Sequence, residues 1–598
     1  MNFLENNLKA LALKNGRLAR KIKHAQAPAG LVVTQSKSGF PTPRLGPVSL
    51  HSRFYPEKEG EKLARLHDAS SASVCVVFGF GFGYHLEEIA RQRENTIVIE
   101  PSPGVMKEAL TARDLTGLLE RVKIVSPEDF SEMAENLDYA NALWIDHEPS
   151  ARAHAKERES VAGPFLIRAI NGPGKYRVMV VGPVYGGSVP TAISCAGALE
   201  RLGFEVSFVD NRSYHEEIRS IDEVTTSKNH KALLREIFNN YLGEKIAARA
   251  DYFRPDIILA LAQAPLSPAL LGRIKALGAP VVFWFVENYR TLPYWKSVAP
   301  HYDYFFGIQK GEFLDELIKA GAPYCGYLPQ AADPATHRPL KLSPGDKKKY
   351  GARISFMGAG YPNRRKFFAS LLDLPLKVWG TEWDLSTPLG GRVQNGNRRL
   401  QPEEYIKIFN ASQINLNLHS SLTSVGVDPM ADFVNPRTFE VAACGAFGLV
   451  DRRDELGEML KVGEEIITFD DSDDLREKIA FYLDHPEERE AIAKAGMKRT
   501  LKEHTFTHRM ARMMGIVLER DRAKIDRLRE KASGKNNVDL IIERTKNREL
   551  KTFLEKFRGG GKLRLDEVMS QIAKGEGELT RPEAIFVMID QILSQEQI

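Results

Sequence analysis

The sequence has few cysteines and no long apolar run. Its four cysteines are far apart and none forms a Cys-x-x-Cys pair, so neither a disulfide framework nor a cysteine zinc site is expected. We therefore expect reduced thiols in a cytoplasmic protein and no metal site. No stretch of about 18 apolar residues occurs, and the N-terminus lacks the apolar segment of a signal peptide. These absences predict a protein without a membrane span.

The sequence also lacks a strong excess of charge. It carries 83 lysines and arginines against 78 aspartates and glutamates, a net charge of +5 over 598 residues. This near-balance argues against a dedicated nucleic-acid-binding protein. The length is more than one hydrophobic core usually serves, so several domains are expected.

Three short apolar runs each end in glycines and lead into a helical pattern, at residues 73–85, 176–192 and 352–366. A strand, a glycine turn and a helix in this order begin a parallel α/β sheet. The fold class is therefore α/β. We predict an N-terminal Rossmann-like domain at 1–165, two tandem Rossmann-like domains at 170–335 and 340–516, and a helical tail at 517–598.

Glycine turns at the end of a strand let the backbone approach a ligand, and the following helix N-terminus favours phosphate. In the second unit these residues are Gly186, Gly187 and Ser188, although glycines there can serve the turn alone. In the third unit, basic side chains follow the glycines at the N-terminus of a helix, where the helix dipole disfavours positive charge. An anion such as a diphosphate bound there would offset this cost. The alternative is a solvated basic turn. The candidate donor-binding residues of this loop are Gly358, Gly360, Asn363, Arg364 and Arg365.

The first unit has a comparable loop, Gly79-x-Gly81-x-Gly83, with Glu100 at the end of the next strand. Glycines after one strand and an acid after the next fit recognition of a ribose diol in a nucleotide or an S-adenosyl group. The unit shows no recognisable catalytic motif. A ligand-binding or vestigial domain is therefore favoured over an active S-adenosylmethionine-dependent methyltransferase.

Two acids, Asp432 and Glu440, stand eight positions apart around Pro436, which suits the first turn of a helix. Glu440 would lie on the second turn and can accept two hydrogen bonds from a ribose diol, while Arg437 or the helix N-terminus faces a phosphate. Asp432 would reach a sugar hydroxyl from the preceding loop. The alternative is a capping acid followed by an exposed glutamate.

Two further residues follow strands at the edge where ligands bind in such sheets. Glu287 is the candidate on the acceptor side, as a base or an orienting group, and His419 is the candidate on the donor side. The alternative for Glu287 is a surface carboxylate without a role in catalysis, and the alternative for His419 is a structural histidine.

The run "NPRTFEVAACGAFGLVDRRDELGEML", within residues 345–515, resembles the C-terminal domain of GT-B glycosyltransferases, closest to the CgeB-like branch. "WFVENYR" and "YLPQAADPATHRPL" resemble the N-terminal half of that branch. The resemblance implies a GT-B fold and a Glu-x7-Glu pair whose second acid holds the nucleotide ribose and whose first lies near the transferred sugar. Here the first acid is Asp432, which leaves its role open. The resemblance also implicates Arg364 or Arg365 in diphosphate binding.

Residues 1–130, with "VVFGFGFGYHLEEIARQRENTIVIEPSP", resemble the start of Maf-type motility accessory factors, which are linked to flagellin glycosylation. Together the resemblances imply a retaining, metal-independent glycosyltransferase (a hexosyl- or related transferase) that needs no cofactor. Its donor would be a nucleotide sugar, and its acceptor a protein such as flagellin. The alternatives are the methyltransferase and a non-catalytic assembly protein with a GT-B fold.

Overall fold

The computed structural model describes residues 3–595 apart from short gaps at 67–72, 94, 135–136, 138–141, 172–175, 422–423, 425, 429–431, 533–537, 539–540, 543–544, 559–564 and 576. Three parallel sheets, one for each of the predicted strand–glycine–helix units, form its framework. None of the helices in these described segments is both long enough and apolar enough to cross a membrane.

The N-terminal domain holds a four-stranded parallel sheet and a small antiparallel sheet of β1, β2 and β3. The parallel sheet has the order β6-β5-β4-β7, and β4 is buried along its whole length, as a continuous apolar run in a covered sheet should be. The elements are α1 Phe3–His24, β1 Leu31–Gln35, β2 Pro41–Leu45, β3 Val48–Ser49, α2 Pro56–Leu66, β4 Val74–Phe78, α3 Tyr84–Gln92, β5 Thr96–Ile99, α4 Pro103–Ala112, α5 Thr116–Arg121, β6 Lys123–Val125, α6 Pro127–Met133, β7 Ala142–Asp146, α7 Glu148–Ala153 and α8 Ala155–Asn171.

The second parallel sheet, of six strands in the order β13-β12-β11-β10-β8-β9, forms what we call the N-lobe. Its central strands β10 and β11 are fully buried and aligned in parallel register. The elements are β8 Arg177–Val181, α9 Ser188–Arg201, β9 Glu205–Val209, α10 His215–Val224, α11 Lys228–Phe253, β10 Ile257–Leu261, α12 Pro268–Lys275, β11 Val281–Phe285, α13 Trp295–Val298, β12 Tyr304–Gly307, α14 Glu312–Lys319 and β13 Cys325–Tyr327.

The third parallel sheet, of five strands in the order β15-β14-β16-β17-β18, forms the C-lobe. The linker between β13 and the first C-lobe helix joins the two lobes. The elements are α15 Pro344–Tyr350, β14 Ala352–Met357, α16 Pro362–Ala369, β15 Leu376–Trp379, α17 Pro402–Ala411, β16 Ser412–Asn417, α18 Pro436–Ala443, β17 Gly448–Asp451, α19 Leu456–Met459, β18 Ile467–Phe469, α20 Ser472–Asp484 and α21 Pro486–Glu503.

The last long helix, α22 Phe506–Ala532, returns from the C-lobe to the N-lobe. It packs against α8 and α9, and its buried apolar residues belong to the N-lobe core. The predicted boundary at 516 therefore falls inside a continuous helix. The predicted boundary at 165 likewise falls inside α8. The helical tail follows as α23 Arg548–Glu555, α24 Leu565–Ala573 and α25 Arg581–Gln595.

The predicted fold class is confirmed. The chain is α/β, with two tandem Rossmann-like lobes in the GT-B manner, a further Rossmann-like domain before them and helices at the C-terminal end. The apolar runs identified central strands such as β4, β10 and β11, because these are buried along their whole length.

Candidate functional site

The carboxyl ends of the N-lobe and C-lobe strands meet at a cleft between the lobes, where open α/β sheets bind ligands. Direct contacts cross this cleft. Arg290, after β11, forms an ion pair of 2.7 Å with Asp432 of the C-lobe. Arg399 of the C-lobe donates a hydrogen bond of 2.6 Å to the backbone oxygen of Gly186 in the N-lobe. The two edges therefore lie within side-chain reach of one another.

The N-lobe side of the cleft carries the glycine loop before α9. Gly186 has a φ of +102°, a conformation that favours glycine, and Gly187 precedes the first helical residue, Ser188. The Ser188 hydroxyl donates a hydrogen bond of 2.8 Å to Oε1 of Glu287, which follows β11. Burial raises the pKa of Glu287, and the Ser188 hydrogen bond opposes this rise. The structure thus brings the predicted loop and the predicted acceptor-side acid together.

The C-lobe glycine loop has tight packing of its own. A side chain at Gly360 would meet the backbone oxygen of Glu382 at 2.6 Å and the Trp383 ring at 2.8 Å. At Gly358 it would meet the Phe356 ring at 3.1 Å. Gly360 therefore permits close packing of the loop against the segment after β15, whereas Gly358 gives room to the Phe356 ring of β14.

The two arginines after this loop have different positions. Arg364 is buried and donates to the backbone oxygens of Leu418 and Ala359, at 2.8 and 2.9 Å. Burial lowers the pKa of Arg364 to about 10, so it stays charged beneath the loop. Arg365 is exposed, and its charge is the smallest of the causes that change the pKa of Asp384, which is lowered chiefly by a hydrogen bond from Ser386. Asn363 is buried and donates to the backbone oxygen of His419.

Helix α18 begins as the sequence predicts. Asn435 caps it, Pro436 occupies the first turn and Glu440 lies on the second turn. Glu440 is only 6% exposed, which excludes the exposed glutamate of the alternative interpretation. Its carboxylate pairs with Arg437 on the same helix.

The other oxygen of Glu440 faces the linker. His337 Nε2 lies 3.7 Å from Glu440 Oε1 and 3.1 Å from the Tyr405 hydroxyl. Arg437 stacks over the Tyr405 and Phe409 rings, at 4.8 and 5.0 Å from their centroids. Burial lowers the pKa of His337, so a neutral imidazole stands beside the acid. The predicted ribose acid is held between an arginine of its own helix and the linker between the lobes.

Asp432 lies at the cleft itself. Besides Arg290, its carboxylate accepts a hydrogen bond of 2.6 Å from Nε2 of Gln309, which follows β12. The first acid of the predicted pair therefore faces the N-lobe, while Glu440 faces the linker. The two acids of the predicted pair therefore have different partners and point in different directions.

His419 is enclosed completely, with no exposed surface. Its Nδ1 lies 2.6 Å from Asp451 Oδ1, and its Nε2 accepts the backbone N–H of Asn435 at 2.9 Å. Burial lowers the pKa of His419 to about 4, so the ring is neutral. Both nitrogens are occupied by the protein. This geometry favours a positioning role for His419, holding the cap of α18, over the catalytic role expected from the sequence.

The N-terminal glycine loop is covered by its own domain. A side chain at Gly79 would lie 2.3 Å from Ser150 Cβ, and one at Gly81 would lie 2.6 Å from His51 Nε2. Glu100 is buried and accepts hydrogen bonds from the backbone of Phe80 and Ser102 at 2.8 and 2.6 Å. Burial raises the pKa of Glu100 to about 7. Gly83, at a φ of +82°, caps α3. The structure thus surrounds the predicted nucleotide-like site with protein groups, and no observation favours the methyltransferase.

Several cleft residues were not found from the sequence. Arg290 and Gln309 follow strands β11 and β12 at the same edge as Glu287, so the strand-end argument that selected Glu287 would also have selected them. His337 and Arg399 lie in irregular segments, and no pattern marks them. Their roles depend on how the two lobes face each other.

Part of the chain is similar to known proteins. Residues 364–515 match a protein-family model described as glycosyl transferase-like. The spore protein CgeB of Bacillus subtilis (strain 168) is 28% identical over 281 residues, which are 45% of this chain and 85% of that protein. These matches do not test the likeness of the N-terminal domain to motility accessory factors, which stays a prediction.

Solved structures resemble the chain more distantly. Sucrose-phosphate synthase from Thermosynechococcus elongatus is 13% identical and covers 58% of this chain and 98% of its own, with a TM-score of 0.38. HepE of Anabaena in complex with UDP-glucose is 11% identical, and the match covers 57% of this chain and 99% of the HepE chain, with a TM-score of 0.39. Trehalose-6-phosphate synthase OtsA is 12% identical, and the match covers 57% of this chain and 98% of the OtsA chain, with a TM-score of 0.40.

Proposed function

We propose that this chain is a glycosyltransferase that moves a sugar from a nucleotide-sugar donor, bound in the cleft, to an acceptor. The observation that carries the proposal is the buried Glu440–Arg437 pair at the start of α18, beside the linker between the lobes. A carboxylate there accepts hydrogen bonds from the ribose hydroxyls, and the arginine beside it attracts the diphosphate. The match of residues 364–515 to glycosyl transferase-like sequences supports the same assignment.

The transfer breaks the bond between the anomeric carbon and the diphosphate oxygen, and negative charge develops on the leaving diphosphate. Arg437, the buried Arg364 and the N-terminus of α18 supply positive charge around that position. In this proposal the arginines and the helix stabilise the leaving group, so the mechanism needs no metal. Asp432 contacts the transferred sugar once its pairing with Arg290 is released.

On the acceptor side, Glu287 orients or activates the attacking hydroxyl, with Ser188 fixing its carboxylate. The resemblance to retaining GT-B enzymes supports retention of the anomeric configuration, and in that case Glu287 orients the acceptor. The likeness of the N-terminal region to motility accessory factors supports a protein acceptor such as flagellin. Incubating the chain with purified flagellin and a radiolabelled donor tests this acceptor, and absence of label on the protein would contradict it.

Glu440→Gln tests the donor site because it removes the charge and keeps the shape. A thermal-shift screen with UDP-, GDP-, ADP-, TDP- and CMP-sugars first identifies the donor, since a specific ligand raises the melting temperature. We then expect Glu440→Gln to weaken donor binding at least about tenfold, or about 1.4 kcal/mol, in isothermal titration and to lower donor hydrolysis.

Glu477→Gln, at an exposed position on α20, is the matched control and should behave as the wild type. Unchanged donor affinity and turnover in a folded Glu440→Gln protein would reject the role of Glu440. A wild-type protein that binds none of the five donors would reject the transferase proposal itself.

A further inference from the structure

Three histidines from distant parts of the sequence meet inside the N-terminal domain. His51 follows β3, His85 lies in the first turn of α3 and His147 caps α7. One ring nitrogen from each lies within 4.8 Å of one from each of the others. Their exposures are 2%, 1% and 3%, so the cluster is sealed from solvent. The rings of His85 and His147 are parallel, with centroids 4.2 Å apart.

Two of the rings are fixed from behind by hydrogen bonds. His85 Nε2 lies 3.0 Å from the backbone oxygen of Gly79, and His147 Nδ1 lies 2.7 Å from the Ser150 hydroxyl. His85 Nδ1 is buried and has no hydrogen-bond partner. A metal-binding histidine is typically held in this way, with one nitrogen bonded to a carbonyl or hydroxyl and the other turned inward.

The glycine loop is shaped around this cluster. Gly79 has a φ of +94° and gives room to Ser150, the partner of His147. Gly81 has a φ of +52°, and a side chain there would collide with the His51 ring and lie 3.2 Å from that of His147. The glycines therefore permit close approach of three imidazoles, a purpose that differs from the nucleotide binding expected of them.

We propose that the N-terminal domain binds one divalent transition-metal ion, Zn²⁺ in the first instance, through His51, His85 and His147. Neutral imidazoles are good ligands for such ions. Tetrahedral Zn–N bonds of about 2.1 Å place the ring nitrogens about 3.4 Å apart. The nitrogens now lie within 4.8 Å of one another, so they would have to draw together by at most about 1.4 Å. His51 Nε2 accepts the backbone N–H of Phe82 at 2.9 Å, so binding exchanges that hydrogen bond for a bond to the ion.

The charge state of the cluster suits this role. Burial lowers the pKa of all three histidines, that of His85 to about 3, which keeps the rings unprotonated as ligands must be. His51 Nδ1 lies 3.8 Å from Glu59 Oε2, an acid behind the third ring. The ion would tie the segment after β3 to α3 and α7, three parts of the domain that are far apart in the sequence.

Metal content of the tag-free full-length protein tests the proposal. After Zn²⁺ loading and extensive dialysis, mass spectrometry of the metals should find one Zn²⁺ per chain. Titration of the apo protein with Co²⁺ should give visible absorption bands typical of a site with low coordination number. Both signals should be lost in His85→Ala and His147→Ala and kept in His154→Ala, the control histidine of the same domain.

Ser150→Ala keeps all three ligands and removes only the hydroxyl that is hydrogen-bonded to His147. It therefore tests the proposal even if the histidine variants do not fold. It should weaken Co²⁺ binding by about tenfold. A wild-type protein that takes up neither Zn²⁺ nor Co²⁺ would overturn the proposal. Uptake that is equal in wild type, folded His85→Ala and Ser150→Ala proteins would overturn it too.

Discussion

The Ser188–Glu287 pair sets the charge of the acceptor side of the cleft. Burial and this one hydroxyl act on the carboxyl in opposite directions, because burial disfavours the charged form and a donated hydrogen bond favours it. In the proposed function a deprotonated Glu287 is the active form. The pH at which activity falls should therefore depend on Ser188 as well as on the carboxyl itself.

Ser188→Ala should raise the pKa of Glu287 further, by up to about one unit, since a hydrogen bond to a charged group contributes about 1.5 kcal/mol. The carboxyl then stays protonated to a higher pH, so the acidic limb of the kcat/KM profile should move to higher pH. Profiles measured between pH 5 and 9 check the shift. Ser220→Ala, at an exposed position of α10, should leave the limb in place. If the acidic limb of the kcat/KM profile does not move in Ser188→Ala, or moves to lower pH, Glu287 is not the group that this limb reports.

Single residues show where prediction from the sequence reaches its limit. The sequence placed cations after the C-lobe glycine loop, but Arg364 is buried under it and Arg365 faces solvent. Neighbouring residues on a helix differ in direction by about 100°, and only the packing of α16 decides which one points inward. His419 was found by its position after β16. Its partner Asp451 lies 32 residues later, so its positioning role could not be foreseen.

At the scale of elements, the strands and the start of α18 were predictable. Buried parallel strands need continuous apolar runs, and Pro436 with the Asn435 cap marks a helix start without reference to the rest of the fold. The extent of α22 was not predictable. Its charged second half gives the pattern of a solvated helix, yet Ile525 within it is buried in the N-lobe core. Charge patterns describe the exposed face of a helix and leave its partner undefined.

Met513, on α22, has no exposed surface and belongs to the N-lobe core. Met513→Ala should lower the free energy of unfolding by about 2–5 kcal/mol, because it removes buried atoms and leaves a cavity. Hydrogen exchange should show faster exchange in N-lobe strands β8 to β13, although Met513 is remote from them in sequence. Arg527→Ala, at an exposed position of the same helix, should change little. Loss of protection confined to the C-lobe would contradict the assignment of α22 to the N-lobe.

At the scale of the whole molecule, the ion pairs that cross the cleft are individually weak. The Arg290–Asp432 and Lys310–Glu458 ion pairs cross the cleft at 2.7 Å each, with partly exposed partners. Such pairs contribute about 0.2–1 kcal/mol or less, because solvent screens them. These two ion pairs therefore add little to what holds the lobes together, compared with the packing of the C-lobe residue Phe433 in the N-lobe core.

Three histidines of the lobes, of which His419 and His504 are buried and His508 is partly buried, should make the protein acid-sensitive. Burial lowers the pKa of His419, His504 and His508, so they stay neutral when folded but take up protons near pH 6.5 when unfolded. Their stabilising effect is complete above about pH 6.5 and is lost as the pH falls towards about 4. We expect the urea midpoint to fall between pH 7.5 and 5.

His508→Gln should reduce this pH dependence by about 1–2 kcal/mol, because each unit of pKa difference corresponds to about 1.4 kcal/mol. His230→Gln, at an exposed position of α11, should not reduce it. Urea titrations at intervals of half a pH unit measure the slope. A midpoint that is constant or rises as the pH falls through this range would show that the buried histidines do not govern acid stability.

The return of α22 to the N-lobe has a consequence for how the chain is made. The ribosome releases β8 to β13 long before it releases residues 506–532, whose apolar side chains complete the same core. Domains usually fold in order as the nascent chain emerges. The N-lobe core therefore stays incompletely packed until the C-lobe and α22 have been translated, so the N-lobe becomes native only after residues 506–532 have emerged.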